Sequence, residues 1–148
     1  MYTLPHMARA QWMSLLAQAP LTELADAMRG LEQPADATWL RPPQTGLYML
    51  RGRIGGSGAP FNLGEVSVTR CSLQLGDRIG HAWVRGSDRR HAELAALADA
   101  LLQDPARHEQ ISSQVLAPLQ QSLQARREDQ SRKAAASKVE FFTVVRGE

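Results

Sequence analysis

The stretch Gly80-His81-Ala82-Trp83-Val84-Arg85-Gly86-Ser87-Asp88-Arg89-Arg90-His91-Ala92-Glu93 decides the fold, because a strand pattern passes through one glycine into a helix pattern. Ser87 or Asp88 can cap that helix with a side-chain oxygen, which places the first-turn N–H groups at its positive end. Arg89 and Arg90 add like charge there, an unfavourable arrangement unless Asp88, Glu93 or an outside anion answers it. With Leu94, Leu97, Ala98 and Leu101 as the buried stripe, the helical period points Arg90 and His91 toward the stripe and Arg89 and Asp99 away.

Upstream of this joint the strand signal repeats. Leu47 to Ile54 lies between Gly46 and Gly55-Gly56, and Glu65 to Leu75 carries Val66, Val68, Thr69 and Cys71. Gly76-Asp77 then makes a tight turn into Ile79 to Arg85. The short connections predict an antiparallel meander, since parallel strands need a crossover of about a dozen residues or more. Thr38-Trp39-Leu40 adds a brief edge strand that Pro42-Pro43 terminates by withholding backbone donors. Ahead of the strands, residues 7 to 19 have helical spacing through Trp12, Met13, Leu15, Leu16 and Ala19, stopped by Pro20. Leu21, Leu24, Ala25, Met28 and Leu31 predict a second helix that unwinds near Gly30, and the pair reads as a helical hairpin.

Downstream, the helix after Gly86 runs through Leu101-Leu102 and stops before Asp104-Pro105. Another begins near His108 with Ile111, Val115, Leu119 and Leu123 four apart, and Pro118 inside it predicts a kink or split. From Gln124 to Lys138 the only apolar residues are alanines, and Arg126, Arg127, Arg132, Lys133 and Lys138 face only Glu128 and Asp129. That segment is either a solvated arm or a helix laid on a partner. Val139-Glu140-Phe141-Phe142-Thr143-Val144-Val145 has high β propensity and predicts a terminal strand that must pair with the sheet or with another chain. The fold class is therefore α+β: an antiparallel meander of three to five strands, packed by an amino-terminal helical hairpin and carboxy-terminal helices. We read 1–148 as one domain, with 108–148 an arm plus terminal strand for docking on partner subunits.

The 148 residues suit one core, and 17 basic against 15 acidic residues leave a net charge of +2. A pI near 9.1 from so small an excess gives nucleic acid little support as a partner. The single Cys71 excludes an internal disulfide or a site built from several thiolates of this chain, and fits a reducing compartment. No long apolar run marks a signal core or a membrane span, so a cytoplasmic location without membrane association is expected.

Several groups have the chemistry of a site. Gly55-Gly56-Ser57-Gly58 reads as a phosphate cradle or as a flexible hairpin loop; it lacks a following helix and the Lys-Ser or Lys-Thr of a P-loop. Arg51 and Arg53, two apart on one strand, join Arg70 and Arg85 as either a phosphate or phosphonate clamp or scattered surface charges. His81, His91, Asp88, Glu93 and Cys71 are metal-ligand types, but their spacing matches no compact ligand set, and no metal is assigned. His91 with Glu93 suits proton transfer, or His91 is a packed histidine at a helix start. The binding candidates are thus Arg51, Arg53, Arg70, Asp88, Arg89, Arg90, His91 and Glu93, and no catalytic residue is assigned.

Thr45-Gly46-Leu47, Arg53-Ile54-Gly55-Gly56-Ser57-Gly58-Ala59-Pro60-Phe61, Leu63-Gly64-Glu65, Thr69-Arg70, Gly80-His81, Gly86 to Glu93, Asp99-Ala100-Leu101 and the tail Ser137 to Gly147 resemble the PhnG family of the bacterial phosphonate carbon–phosphorus lyase system. Trp12-Met13 and Ala117-Pro118-Leu119 extend the likeness over nearly the whole chain. The sequence departs from the family at Gly76-Asp77-Arg78, a tighter turn than the family's acidic-Gly-Thr, which changes a loop tip. The resemblance implies a subunit that works with PhnH, PhnI and PhnL to join an alkylphosphonate to the ribose carbon of ATP, displacing adenine and forming α-D-ribose 1-methylphosphonate 5-triphosphate. It also implies a core assembly with PhnH, PhnI and PhnJ, with PhnK as a further possible associate. ATP is then a substrate of the complex, this chain alone holds no cofactor, and the iron–sulfur cluster and S-adenosylmethionine belong to PhnJ. The alternatives are a scaffold subunit of the same complex that never contacts substrate, and an unrelated small anion- or RNA-binding module.

Overall fold

Strict alternation on the central strand builds the sheet. In the computed structural model, which describes residues 7–31 and 36–145, strand β2 (Pro60–Leu75) buries Thr69, Cys71, Leu73 and Leu75 and leaves Arg70, Ser72 and Gln74 on the other face. Strand β3 (Arg78–Arg85) repeats the rhythm with Gly80, Ala82 and Val84 inside. The two pair antiparallel from Leu75↔Arg78 to Val68↔Arg85, turned by Gly76, whose φ of 64° suits a residue without Cβ. Strand β1 (Ala37–Arg53) lies on the far side of β2, giving the order β1-β2-β3.

Pro42-Pro43 does not end a short strand, contrary to the sequence expectation. β1 continues from Ala37 to Arg53, and the prolines fall at a register shift between Arg41 and Gln44. β1 is an edge strand, so a bulge absorbs two residues that lack donors. β2 also starts earlier than its apolar pattern suggests, because polar Asn62 and the exposed Phe61 and Leu63 belong to the part that no core covers.

The buried face is closed by helix α3 (Arg89–Leu102), in which His91, Ala92 and every residue from Leu94 to Leu102 are buried. Its alanines let it approach the sheet closely. A Cβ on Gly80 would overlap the Ala96 carbonyl oxygen and stand 2.7 Å from the Ala100 amide nitrogen. Helix α1 (Arg9–Gln18) packs on α3 and β3, while α2 (Leu21–Ala27) packs on α3 and the later helices. The core joins Trp12, Leu15, Leu16, Leu24 and Met28 from the first two helices to Leu73, Val84, Leu94 and Leu101.

Helix α4 (His108–Ile111) runs through a π turn (Ser112–Leu116) into helix α5 (Ala117–Val145). The disturbance expected at Pro118 is this π turn, where the Ala117 N–H donates to the Ser112 carbonyl just before the residue that has no N–H. Leu119 is buried, and Ser122 and Arg126 hold Glu23 of α2 at 2.8 and 3.1 Å. Beyond Asp129 every described side chain is exposed up to Lys138. The terminal strand expected over Val139 to Val145 is absent: that segment is helical and continues α5. A helix already propagating through Ala134-Ala135-Ala136 adds a hydrogen bond per residue without a new nucleation cost, and this outweighs the modest β preference of Val, Thr and Phe.

Candidate functional site

The joint at Gly86 is satisfied from within. Gly86, at φ 100°, donates its N–H to the Ser67 carbonyl at 2.7 Å, and its carbonyl accepts from Thr69 Oγ1 at 2.7 Å. Of the two capping alternatives, Asp88 is the N-cap; its Oδ1 accepts from the His91 N–H at 3.2 Å. The negative charge at this helix start is therefore the chain's own. His91 is 8% exposed and its Nε2 lies 2.9 Å from the Leu16 carbonyl, so this nitrogen carries the proton and donates. Arg90 does not turn to the buried stripe; it is exposed and lies 3.5 Å from Glu93 one turn on. Its long, always-charged side chain reaches water more cheaply than it desolvates. Arg89 is exposed and makes no ion pair among the described residues.

Asp99 reverses the other orientation expected for α3. It is fully buried, and its carboxylate binds Arg9 Nη2 at 2.8 Å, Arg9 Nε at 3.1 Å, Trp12 Nε1 at 2.8 Å and the His81 backbone N–H at 2.9 Å. Gln103 and Arg9 donate to the Ile79 carbonyl at 2.7 and 3.2 Å. Together these side chains cover the free edge of β3 at Ile79 and His81, whose outward C=O and N–H groups would otherwise invite another strand. The hydrogen bond to Asp99 raises the Arg9 pKa above its ordinary value, against the opposing effect of burial. The sequence held one signal for this role: Asp99 is the only charged residue in Leu94 to Leu102. Its partners Arg9, Trp12 and His81 lie 18 to 90 residues away and could not be read locally.

On the outer face of the sheet lies an open groove of about 870 Å³, lined by Arg41, Arg70, Ser72, His81 and Trp83, with Arg9 and Met13 of α1 along one side. The Arg70 guanidinium stands 5.5 Å from the Trp83 ring centre, and Tyr48 meets that ring edge-on at 5.8 Å. Ser72 Oγ and His81 Nδ1 are 2.8 Å apart. Arg41 and Arg70 make no ion pair among the described residues, so both guanidiniums are available to a bidentate anion. Of the arginines singled out in the sequence, Arg70 faces this groove. Arg51 and Arg53 stand near the far end of the β1–β2 hairpin, opposite Asn62 and Pro60, roughly 23 to 30 Å along the strand from Gln44, the partner of Arg70. His91 and Glu93 belong to α3 on the opposite side of the sheet from Arg70, so these three do not meet at one ligand.

Cys71 is buried under α3, where its thiol donates to the Ala92 carbonyl at 3.0 Å. Burial, with the nearby negative charge of Glu93, pushes its pKa up to about 12. A protonated thiol is neither a nucleophile nor a metal ligand. Among the described residues no three His, Cys, Asp or Glu side chains converge as a metal set, and no helix is long and apolar enough to cross a membrane.

Comparison with known proteins places this geometry. Residues 7–147 match the family model described as phosphonate metabolism protein PhnG. The chain is also 40% identical to the alpha-D-ribose 1-methylphosphonate 5-triphosphate synthase subunit PhnG of Rhizobium meliloti (strain 1021), an alignment covering 95% of this chain and 90% of that protein. A match of this length takes in both strand–loop–strand turns, the Gly86 joint and the helical arm, and so the chain belongs to the PhnG family of phosphonate metabolism proteins.

Proposed function

We propose that this chain is a non-autonomous subunit of an α-D-ribose 1-methylphosphonate 5-triphosphate synthase. The complex joins an alkylphosphonate to the ribose carbon of ATP with departure of adenine. The observation that carries this reading is the 40% identity, over 95% of this chain, to a synthase subunit. The molecule's own surfaces support it. The one cysteine is held protonated, and the histidine at the Gly86 joint is committed to a backbone carbonyl. The companions are PhnH, PhnI and PhnJ, with PhnL and PhnK associated, and the iron–sulfur and S-adenosylmethionine chemistry resides in PhnJ.

In this reading the exposed part of α5 is laid on a neighbouring subunit. Cutting the chain after Glu128 keeps the Arg126–Glu23 pair and the packing of Leu119 and removes the arm. The truncated chain is expected to fold but to lose co-purification with PhnI and its companions, and retention of the full assembly refutes this role for the arm.

A second reading has the groove beside Trp83 taking phosphate or phosphonate oxygens directly, favoured by the two guanidiniums of Arg41 and Arg70 that no carboxylate among the described residues answers. An intact complex carrying Arg70→Ala then loses adenine release, and Arg70→Lys recovers little because an ammonium cannot reproduce the planar fork. Unaltered turnover in an assembled Arg70→Ala complex removes this reading and leaves a scaffold subunit.

A further inference from the structure

The three-stranded part of the sheet ends at Val68, the last β2 residue opposite β3. β1 and β2 go on pairing as far as Arg53 and Pro60. Between Gln44 and Val68 no described side chain of this projecting hairpin is buried, yet Leu47 is 69% exposed, Met49 51% and Leu63 62%. Leu50 and Phe61 are exposed as well. A two-stranded ribbon in water is marginal by itself. Apolar side chains gathered on such a ribbon mark a surface that another molecule covers.

Charge identifies the kind of molecule. Arg51 and Arg53 stand near the tip, Arg41, Arg70 and Arg85 nearer the root, and Glu65 is the only carboxylate on β1 or β2. None of these five arginines makes an ion pair among the described residues. A second copy of the chain would bring the same cations together, which costs free energy. Nucleic acid would answer the charge but offers its phosphates and base edges no pocket for Leu47, Met49 and Leu63. A protein cleft with an apolar floor and a carboxylate rim meets both demands, and arginine among exposed apolar anchors is the composition of a protein interface core.

We infer that the hairpin beyond Val68 is a docking arm that inserts into an apolar, carboxylate-rimmed cleft on another subunit of the synthase. This rests on the subunit reading above. The test uses the full chain co-expressed with the other synthase subunits. Leu47→Ser, Met49→Ser and Leu63→Ser combined should leave the isolated chain's melting temperature and circular dichroism unchanged, because those side chains already face water. Affinity for the companion subunits should fall at least tenfold. Arg51→Glu with Arg53→Glu should weaken assembly in a salt-dependent way, and it supplies the measurement if the triple variant folds poorly. A photo-crosslinking residue in place of Leu63 should label a companion subunit within the intact complex.

Wild-type affinity in both the triple and the arginine variants overturns the docking arm while leaving the subunit reading in place. So does a dimer of the free wild-type chain that the triple variant abolishes, or RNA binding lost on replacing Arg51 and Arg53. Failure of the wild-type chain to assemble with any companion subunit overturns the subunit reading, and the docking arm falls with it.

Discussion

β1 and β2 form one continuous hairpin whose two halves obey different rules. From Val68 to Leu75 the β2 residues have β3 on one side and α3 beneath, and every second side chain is buried. From Leu47 to Ser67 the same two strands have neither, and no described side chain is buried. The residue types barely change across this boundary: Val, Leu, Ser and Arg occur in both halves. Burial here follows from what covers the strand rather than from the strand's composition, since β propensity is largely a measure of packing against neighbours.

The largest expected difference comes from Gly80, where the closed half admits α3 at backbone distance. Gly80→Ala places a methyl against the Ala96 carbonyl and the Ala100 amide, neither of which can swing aside. A loss of about 3 kcal/mol or more is expected, at or beyond the usual range for overpacking because backbone must move. Denaturant melts of the purified variant, or its recovery only in insoluble form, measure this. A soluble variant with a wild-type midpoint would mean that α3 is not seated this closely.

Asp99 is next. Asp99→Ala removes the acceptor for Arg9, Trp12 and the His81 N–H at once and opens the β3 edge. The cost should be about 3 kcal/mol, in the range for breaking a buried charged pair from one side. Asp99→Asn keeps an acceptor and should lose roughly half as much. Urea unfolding followed by tryptophan emission reads both, and equal midpoints for Asp99→Ala and wild type would exclude the clamp.

Cys71 tests the closed half through pH. Its folded pKa of about 12 exceeds the ordinary value of 9.0, so the folded state holds the thiol proton more tightly than the unfolded chain does. The associated stability is complete below pH 9 and is lost as pH rises from there toward 12. The stability difference between wild type and Cys71→Ala should therefore shrink across that interval, measured as urea midpoints at several pH values. At pH 8.5 the native thiol should also react with iodoacetamide roughly a thousand-fold more slowly than an exposed thiol, from the three-unit rise alone. Rapid labelling of the folded chain would show that α3 does not cover it.

The legibility of the molecule in its sequence divides along the same boundary. The meander, the glycine turn at Gly76, the helix from Arg89 and the disturbance near Pro118 all come from periodicity and turn chemistry within a few residues, and all are present. Two failures have a common cause. Val139 to Val145 carries strand propensity but extends a helix that had already formed, and Pro42-Pro43 carries a stop signal that an edge-strand bulge absorbs. In each case a neighbouring element changed the cost of the local choice. Asp99 and Arg90 failed differently. Helical period alone gave their direction, and partners far away in sequence outweighed it, with Arg9 drawing Asp99 inward and water keeping Arg90 out. The outer-face groove was legible only at Arg70, because Arg41, Ser72 and His81 come from different strands and become neighbours only through the register.

The smallest expected effect applies the Gly80 substitution to the open half. At Gly52 an added Cβ meets only Leu63, at 2.9 Å from Cδ1, and Leu63 is a flexible side chain that is already 62% exposed. Leu63 can rotate into water at little cost, while the loss of glycine's freedom in the unfolded chain acts in the other direction. Gly52→Ala should change stability by no more than about 0.5 kcal/mol, and in the stabilising sense if Leu63 finds a second rotamer. The two glycines thus separate two meanings of exposure. If Gly52→Ala leaves the isolated chain intact but weakens assembly with the companion subunits, the position of Leu63 is fixed by the partner rather than by the fold. If it destabilises the isolated chain as much as Gly80→Ala does, the hairpin carries a core of its own and the contrast between the halves fails.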